Sequence, residues 1–204
     1  MRSKLLWLLL ICPLIGYANG PSKSLDLVSL AEKGLEELGL TNSSRMVLID
    51  YSRPSTEKRL FIIDRQRDSL LFSTYVTHGK GSGNKFATSF SNTPRSYQSS
   101  LGFFSISESY HGIHGHSIRL DGLEKGINDR ARERAIVIHG AWYAEPSMIK
   151  KYGRLGRSQG CPALSKDDYK KFTALVEKGT PLFIFHPDEN YWSETTLFRS
   201  EPGP

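Results

Sequence analysis

Cysteine is scarce in this chain, and that scarcity limits how the fold can be supported. Only two of the 204 residues are cysteines, Cys12 and Cys161. Cys12 lies in an N-terminal segment with the pattern of a removable export signal, so the mature protein would keep one thiol. A single thiol excludes an internal disulfide, which leaves intermolecular pairing, an inert buried role or chemistry for Cys161.

Long apolar runs are lacking after the first 20 residues. Those residues have a positively charged start, an apolar core from Leu5 to Ile15 and a small-x-small cleavage site at Gly16-Tyr17-Ala18. This pattern predicts a signal peptide at 1–20, and its apolar run is too short to span a bilayer comfortably. A lipoprotein anchor at Cys12 is disfavoured because Ile11, rather than a small residue, precedes it. We therefore expect export to the periplasm, the cell wall or the exterior.

Acidic side chains are fewer than basic ones, with 21 Asp and Glu against 27 Lys and Arg, a net charge of +6. The charge falls by two when Arg2 and Lys4 leave with the signal segment. An exported basic protein meets the anionic polymers of the cell envelope, so we predict no nucleic-acid partner. The remaining chain of about 185 residues suffices for one domain with its own core, expected as a monomer.

The hydrophobic pattern predicts a mainly β fold with a helix near each end. Leucines at near-helical spacing over 24–40, opened by Ser24 and closed by Gly39, predict an N-terminal helix within residues 21–44 that packs on the main domain. Strand-length runs occupy 46–51, 59–64 and 69–76, an antiparallel meander, and then 101–106, 117–120, 135–138 and 181–186.

The end of the chain carries a second predicted helix, at 166–178, which begins with a capping box formed by Ser165 and Asp168. The main domain would then cover residues 45–187. Residues 188–204 are polar and end in proline and glycine, so we expect a loosely held C-terminal extension.

A glycine-rich segment, 77–84, precedes a serine-rich stretch. It does not match a phosphate-binding P-loop, which needs a longer spacing before Gly-Lys-Ser/Thr and then a helix. We expect a surface loop at the edge of the functional site, with His78 either lining the substrate pocket or filling a turn.

His139 and Cys161 are the residues most able to carry chemistry. His139 ends the apolar run 135–138, which places it where a buried strand opens on a cleft. A thiol is only a few per cent ionised at neutral pH and needs a base, which an imidazole supplies. Backbone N–H groups around Gly160 and Cys161 would stabilise the negative charge of an attacked carbonyl. The alternative is that His139 is a satisfied core histidine and Cys161 a small apolar residue.

The sequence Ile-Val-Ile-His139-Gly140-Ala, followed by Ser158-Gln159-Gly160-Cys161-Pro-Ala-Leu, resembles the catalytic signature of the L,D-transpeptidases. These are cysteine enzymes of the YkuD-type fold that act on bacterial peptidoglycan, and the match is closest to the murein L,D-transpeptidase catalytic domain subgroup. The resemblance extends over 45–187 through the segments 77–83, 90–94, 98–102 and 119–124. It implies a β-sandwich-like fold with the thiol in a cleft under a flap, and no metal or organic cofactor.

The resemblance also implies a reaction on peptidoglycan stem peptides. The Cys161 thiolate would attack the third stem residue and expel the terminal D-Ala, with His139 as the base. The thioester would pass to an amine, giving a 3–3 cross-link, or to water, giving a trimmed tripeptide. The carbonyl of Gly140 would orient His139, Ser158 would line the pocket and a carbapenem would acylate Cys161. A non-catalytic peptidoglycan-binding domain of the same fold remains the alternative to an enzyme.

Two positions depart from the family pattern. Most members have histidine before the Gly-Cys pair and arginine two residues after the cysteine, whereas this chain has Gln159 and Ala163. Gln159 cannot titrate, and Ala163 cannot bind a carboxylate. Arg154 or Arg157, in the preceding loop, is the expected substitute.

The remaining histidines and aromatic residues give weaker predictions. His111, His114 and His116 lie in a glycine-containing segment without cysteine or carboxylate neighbours, so a rim or surface loop is favoured over a zinc site. His186 ends a predicted strand and is expected to be structural. Trp142 and Tyr143 could stack on substrate, although core packing is the commoner fate of such residues.

Overall fold

A computed structural model describes residues 22–113 and 115–198, with the side chains of 22–26 excepted. The predicted signal peptide and His114 lie outside the described residues. The elements, in chain order, are α1 Ser22–Glu37, β1 Arg45–Asp50, β2 Leu60–Asp64, β3 Ser69–Thr74, β4 Gly102–Gly112, β5 Gly115–Gly122, β6 Val137–Gly140, a 3-10 helix Trp142–Ala144, α2 Pro146–Tyr152, β7 Ala163–Leu164, α3 Lys166–Leu175, β8 Pro181–Phe185 and α4 Glu189–Glu194. No helix in this part of the chain combines the length and apolar character needed to cross a membrane.

The strands form one mixed sheet of eight strands in the order β3-β2-β1-β8-β4-β5-β6-β7. The antiparallel meander predicted for the first three strands is confirmed. Two parallel pairings, β1 with β8 and β6 with β7, join segments that are far apart in sequence. The predicted mainly β fold with flanking helices is confirmed, and its strands are continuous in a single sheet.

The central strands are buried on both faces. β1 and β8 each contain four consecutive buried residues, as expected for strands covered on both sides. Phe103 on β4 stacks on Phe183 of β8, with ring centroids 4.3 Å apart. Helix α1 packs on this region through Ala31 and Leu35, and any side chain at Gly34 would overlap Phe103. Glycine at that position lets the helix approach the sheet closely.

The boundaries of several elements differ from the predictions. Helix α1 begins at Ser22, so Ser24 lies inside it rather than at its cap, and Gly39 follows its end at φ +67°. Leu40 N–H donates to the carbonyl of Leu35, which closes the helix end as in a Schellman motif. β6 begins at Val137 because Ala135 is left-handed, at φ +51°.

The predicted short strand at 101–106 is part of a longer hairpin. β4 extends to Gly112 and pairs with β5 as far as Gly112 opposite Gly115. The outer half of β4 is polar and mostly exposed, so its sequence lacks the apolar alternation that predicts a strand. The hairpin is stabilised by backbone pairing beyond the edge of the core.

The prediction of a loosely held C-terminal extension is wrong for residues 189–198. Helix α4 is capped by the Asp188 side chain, which accepts from Tyr191 N–H. Tyr191 and Phe198 are buried in the main core. Thr195 Oγ1 donates to the buried Glu124 Oε2 at 2.6 Å. Burial of widely spaced aromatic rings, in an otherwise polar sequence, holds this segment against the domain.

Phe198→Ala should therefore lower the free energy of unfolding by about 3 kcal/mol, because it leaves a cavity among core rings. Urea denaturation measures the change, and Glu194→Ala at an exposed position of the same segment is the matched control. Equal stability of the two variants would contradict the packing of this segment.

Candidate active site

His139 and Cys161 line one cleft of about 800 Å³. His139 is the third residue of β6, and the parallel register of β6 and β7 places it opposite Ala163. Cys161 precedes Ala163 by two residues. The strand pairing therefore brings the imidazole and the thiol, 22 positions apart in sequence, to the same end of the sheet.

The loop before Cys161 is held by its own hydrogen bonds. Ser158 Oγ donates to the carbonyl of Cys161 at 2.6 Å and accepts from Gly160 N–H at 3.0 Å. Gly160 has φ +125°, and a Cβ there would lie 2.9 Å from the carbonyl oxygen of Gln98. Glycine is therefore required at this position by both backbone conformation and space.

These bonds correct the predicted role of Gly160 and add a structural role for Ser158. The Gly160 N–H is bonded to Ser158, so it is not available as a donor to an oxyanion. Ser158 lines the cleft, but it is buried and its hydroxyl is bonded within the loop. Both residues shape the loop that carries Cys161.

The glycine-rich segment runs beside this loop at the edge of the cleft. Ser158 N–H donates to the carbonyl of His78 at 3.0 Å, and Lys80 N–H donates to the carbonyl of Ser158 at 2.8 Å. A side chain at Gly79 would overlap the carbonyl of Tyr97, so the close approach needs glycine. The segment reaches the cleft through Lys80.

His78 does not line the substrate pocket, contrary to one of its two predicted roles. Its side chain is completely buried, and its Nδ1 accepts a 2.8 Å hydrogen bond from the guanidinium of Arg59. Arg59 is also completely buried and donates to the carbonyls of Val76 and Arg53. The pair anchors the segment that contacts the cysteine loop.

The pKa of His78 is lowered to about 3, first by burial and then by the positive charge of Arg59. An unfolded histidine has a pKa of about 6.5. Between these values the unfolded chain binds the proton that the folded protein excludes, so the stability is full above about pH 6.5 and falls toward pH 3.

We expect His78→Asn, which keeps an acceptor for Arg59 but cannot titrate, to remove this part of the pH dependence. The wild type should lose about 3 kcal/mol more stability than the variant between about pH 7 and pH 4. Denaturant unfolding at both pH values provides the measurement, with His111→Asn at an exposed hairpin position as the control. Parallel losses in the wild type and His78→Asn would contradict the assignment.

The imidazole of His139 is buried, and the hydrogen-bond partner of one ring nitrogen identifies which nitrogen carries the hydrogen. Nδ1 lies 3.2 Å from the carbonyl oxygen of Gly140, which can only accept, so Nδ1 carries the hydrogen. Nε2 is then the basic nitrogen, and the hydroxyl of Tyr143 lies 3.5 Å from it. The carbonyl of Gly140 thus orients the ring of His139, whose catalytic role stays a prediction.

Cys161 is a free, half-buried cysteine. Its thiol donates to the carbonyl of Ala135 at 3.6 Å. Burial raises the pKa of the thiol, while the Val137 backbone N–H and the positive charge of Arg134 act to lower it. Burial prevails, so the resting protein holds a neutral thiol that needs a base to become a nucleophile.

The cleft is rich in positive charge. Four cationic side chains and one carboxylate line it: Lys80, Arg95, Arg134, Arg157 and Glu133. Of the two arginines expected to replace the missing family arginine, Arg157 lines the cleft and Arg154 does not. Arg157 donates to the carbonyl of Gly83 at 2.9 Å. Gln159 is exposed at the cleft, whereas Ala163 is completely buried.

Backbone strain is concentrated around the cleft. Four non-glycine residues of the described part have left-handed backbone conformations, and three of them, Arg95, Tyr97 and Ala135, line the cleft. Such conformations cost free energy and persist where surrounding contacts impose them. The ring of Tyr97 is covered by the Lys80 ammonium at 4.1 Å.

The hairpin tip and the 3-10 helix add aromatic and apolar surface. Tyr110 and Ile113 line the cleft from the β4–β5 hairpin, and Ile113 is 97% exposed. Tyr143 also lines the cleft, while Trp142 is 67% exposed rather than packed in the core. The sequence predicted a rim or surface loop here, and the structure has instead a paired hairpin whose tip reaches the cleft.

The other described histidines, His78, His111, His116 and His186, lie outside the cleft. His116 Nδ1 is 2.9 Å from the hydroxyl of Tyr169 on α3. Across residues 22–113 and 115–198, no group of three His, Cys, Asp or Glu side chains is placed to hold a metal ion. His186 follows β8 and packs against Phe90, with ring centroids 4.8 Å apart.

Together, a strand-end histidine, a lone thiol and a cationic cleft define a candidate site for acyl transfer by cysteine. The chain belongs to the L,D-transpeptidase catalytic domain family, whose model matches residues 21–185. No curated protein matches the sequence significantly.

Solved structures with a similar fold include three L,D-transpeptidases. One from Mycobacterium smegmatis is 14% identical, with a TM-score of 0.43, over 70% of this chain and 59% of that one. One from Stackebrandtia nassauensis is 14% identical, with a TM-score of 0.45, over 73% of this chain and 58% of that one. L,D-transpeptidase 3 from Mycobacterium tuberculosis is 11% identical, with a TM-score of 0.44, over 70% of this chain and 61% of that one. The match spans about three fifths of the length of these three proteins.

Proposed function

We propose that this protein is an exported L,D-transpeptidase that cross-links peptidoglycan stem peptides, with Cys161 as nucleophile and His139 as general base. The observation that carries the proposal is the placement of both residues in one cleft by the β6–β7 pairing. The family of the chain supports the reaction class. The signal pattern at 1–20 supports export.

The proposed chemistry has two balanced half-reactions. Nε2 of His139 takes the thiol proton, and the thiolate attacks the carbonyl carbon of the third stem residue. The C–N bond to the terminal D-Ala breaks, and the imidazolium returns the proton to the leaving amine. An amine of a second stem then attacks the thioester, gives a proton to His139 and forms the new amide as the thiolate leaves.

The charge of the cleft supports an anionic peptide as substrate. Stem peptides carry free carboxylates, and the cleft contains four cations against one carboxylate. Arg157 is our candidate for binding a substrate carboxylate, because Ala163 is buried and short. Gln159, exposed at the same rim, supplies a neutral donor and acceptor for the peptide backbone.

The reaction is tested by mass spectrometry of disaccharide-tetrapeptides incubated with the wild type and with Cys161→Ser. We expect the wild type to release D-Ala and to form a cross-linked dimer. Cys161→Ser should be at least about 1,000-fold slower, because a serine hydroxyl is not ionised by the imidazole to the same extent.

The alternative outcomes identify other functions. Loss of D-Ala without a dimer would replace transpeptidation by hydrolysis, with water as the acceptor. Turnover by both proteins would contradict Cys161 as nucleophile. Binding to peptidoglycan without turnover by either would indicate a non-catalytic module of the same fold.

A carbapenem should acylate the same thiol. The thiolate would open the β-lactam ring, so the intact mass of the wild type should increase by one whole drug molecule with no leaving group. Imipenem followed by intact-mass analysis is the experiment, and Cys161→Ser is the control. His139→Asn should slow the acylation by about 100-fold or more, since it removes the base. An adduct on Cys161→Ser would contradict this assignment.

A further inference from the structure

Arg134 lies at the cleft although nothing in the local sequence indicates a role for it. It precedes the left-handed Ala135, and its guanidinium donates to the carbonyls of Ser91 and Gln98. It also donates to the hydroxyls of Ser100 and Ser96. Four neutral acceptors therefore fix the position of the guanidinium without reducing its charge.

The charge of Arg134 is not neutralised by a carboxylate. Its chain neighbour Glu133 pairs instead with Arg130, at 2.8 Å. Within the described part of the chain, no carboxylate forms an ion pair with Arg134. A partly buried cation that is held only by neutral groups interacts strongly with any anion beside it.

The anion beside it would be the Cys161 thiolate. Nη2 of Arg134 lies 3.5 Å from the position that a Cβ would take on Gly160, the residue before the cysteine. Arg134 and Cys161 line the same cleft. Burial is the largest influence on both groups, raising the pKa of the thiol and lowering the pKa of Arg134, and the opposite charges of the two groups act against it in each case.

We propose that Arg134 is the residue whose positive charge stabilises the Cys161 thiolate. The proposal rests on the function proposed above only in taking Cys161 as the nucleophile. The position two residues after the cysteine, where the family pattern has arginine, supplies no charge in this chain. Ala163, at that position, is completely buried between β6 and the segment around Thr77, where a guanidinium has no space.

Other charged and titratable groups near the thiol act differently. His139 on β6 is the base, and the Tyr143 and Tyr51 hydroxyls have pKa values raised to about 12, mainly by burial, so both stay neutral. The remaining charged groups of the cleft are Lys80, Arg95, Arg157 and Glu133. Burial raises the pKa of Cys161, and the charge of Arg134 is the main electrostatic influence of a side chain that acts against it.

The test is the pH profile of Cys161 alkylation by iodoacetamide, followed on the peptide that contains Cys161 so that Cys12 does not contribute. Arg134→Met should move the midpoint upward by about one pH unit, which is a roughly tenfold lower rate at pH 7. Arg134→Gln is a second neutral variant that keeps a hydrogen-bond donor. Arg134→Lys, which keeps the charge but loses most of the hydrogen bonds, should stay close to the wild-type midpoint.

Arg95→Met is the matched control, because it removes an equal charge from the exposed rim of the same cleft. Circular dichroism establishes that each variant is folded. The proposal is overturned if the neutral variants move the midpoint no more than Arg95→Met does. It is also overturned if Arg134→Lys moves it as far as Arg134→Gln, since the hydrogen bonds rather than the charge would then matter. Alkylation needs no acyl substrate, so these outcomes are independent of the muropeptide result.

Discussion

The parallel pairing of β6 with β7 is the contact on which the site depends. β7 has only two residues and lies at the edge of the sheet, so its own pairing is weak. Thr77 holds it from the other side: its N–H donates to the carbonyl of Ala163 and its hydroxyl accepts from Ala163 N–H. Helix α3 follows at once and is capped by Ser165. Cys161, two residues before this very short strand, is therefore held in place by contacts on both sides of the strand.

The same contacts account for an unusual buried pair beside the cysteine loop. Arg59 and His78 are costly to bury, because neither has a carboxylate partner that would offset desolvation. They hold the segment whose backbone bonds to Ser158 and whose Thr77 side chain bonds to Ala163. The free-energy cost of burying this pair is tolerated because the pair anchors the segment that positions the cysteine loop.

The sequence predicted those parts of the site that depend on residues close together in the chain. His139 lies one residue before the end of an apolar strand. Ser165 caps the helix as predicted by accepting from Asp168 N–H, and both features follow from neighbours within four residues. Arg134 was missed because its acceptors come from a loop 34 to 43 positions earlier. The burial of His78 likewise depends on Arg59, 19 positions away. A side-chain environment formed by segments far apart in the sequence produces no periodic pattern, so a periodicity-based analysis does not predict it.

The strained backbone at Ala135 affects the neutral and the ionised forms of the Cys161 thiol differently. Its left-handed conformation directs a carbonyl at the thiol of Cys161, and that carbonyl accepts the hydrogen of the neutral form. The same oxygen repels a thiolate, because it can only accept. In the mechanism proposed above, loss of the proton to His139 would exchange a favourable contact for an unfavourable one. The positive charge of Arg134, the preceding residue, would offset the difference. With the carbonyl and the guanidinium on adjacent residues, one chain segment would stabilise both the neutral thiol, through the carbonyl, and the thiolate, through the guanidinium.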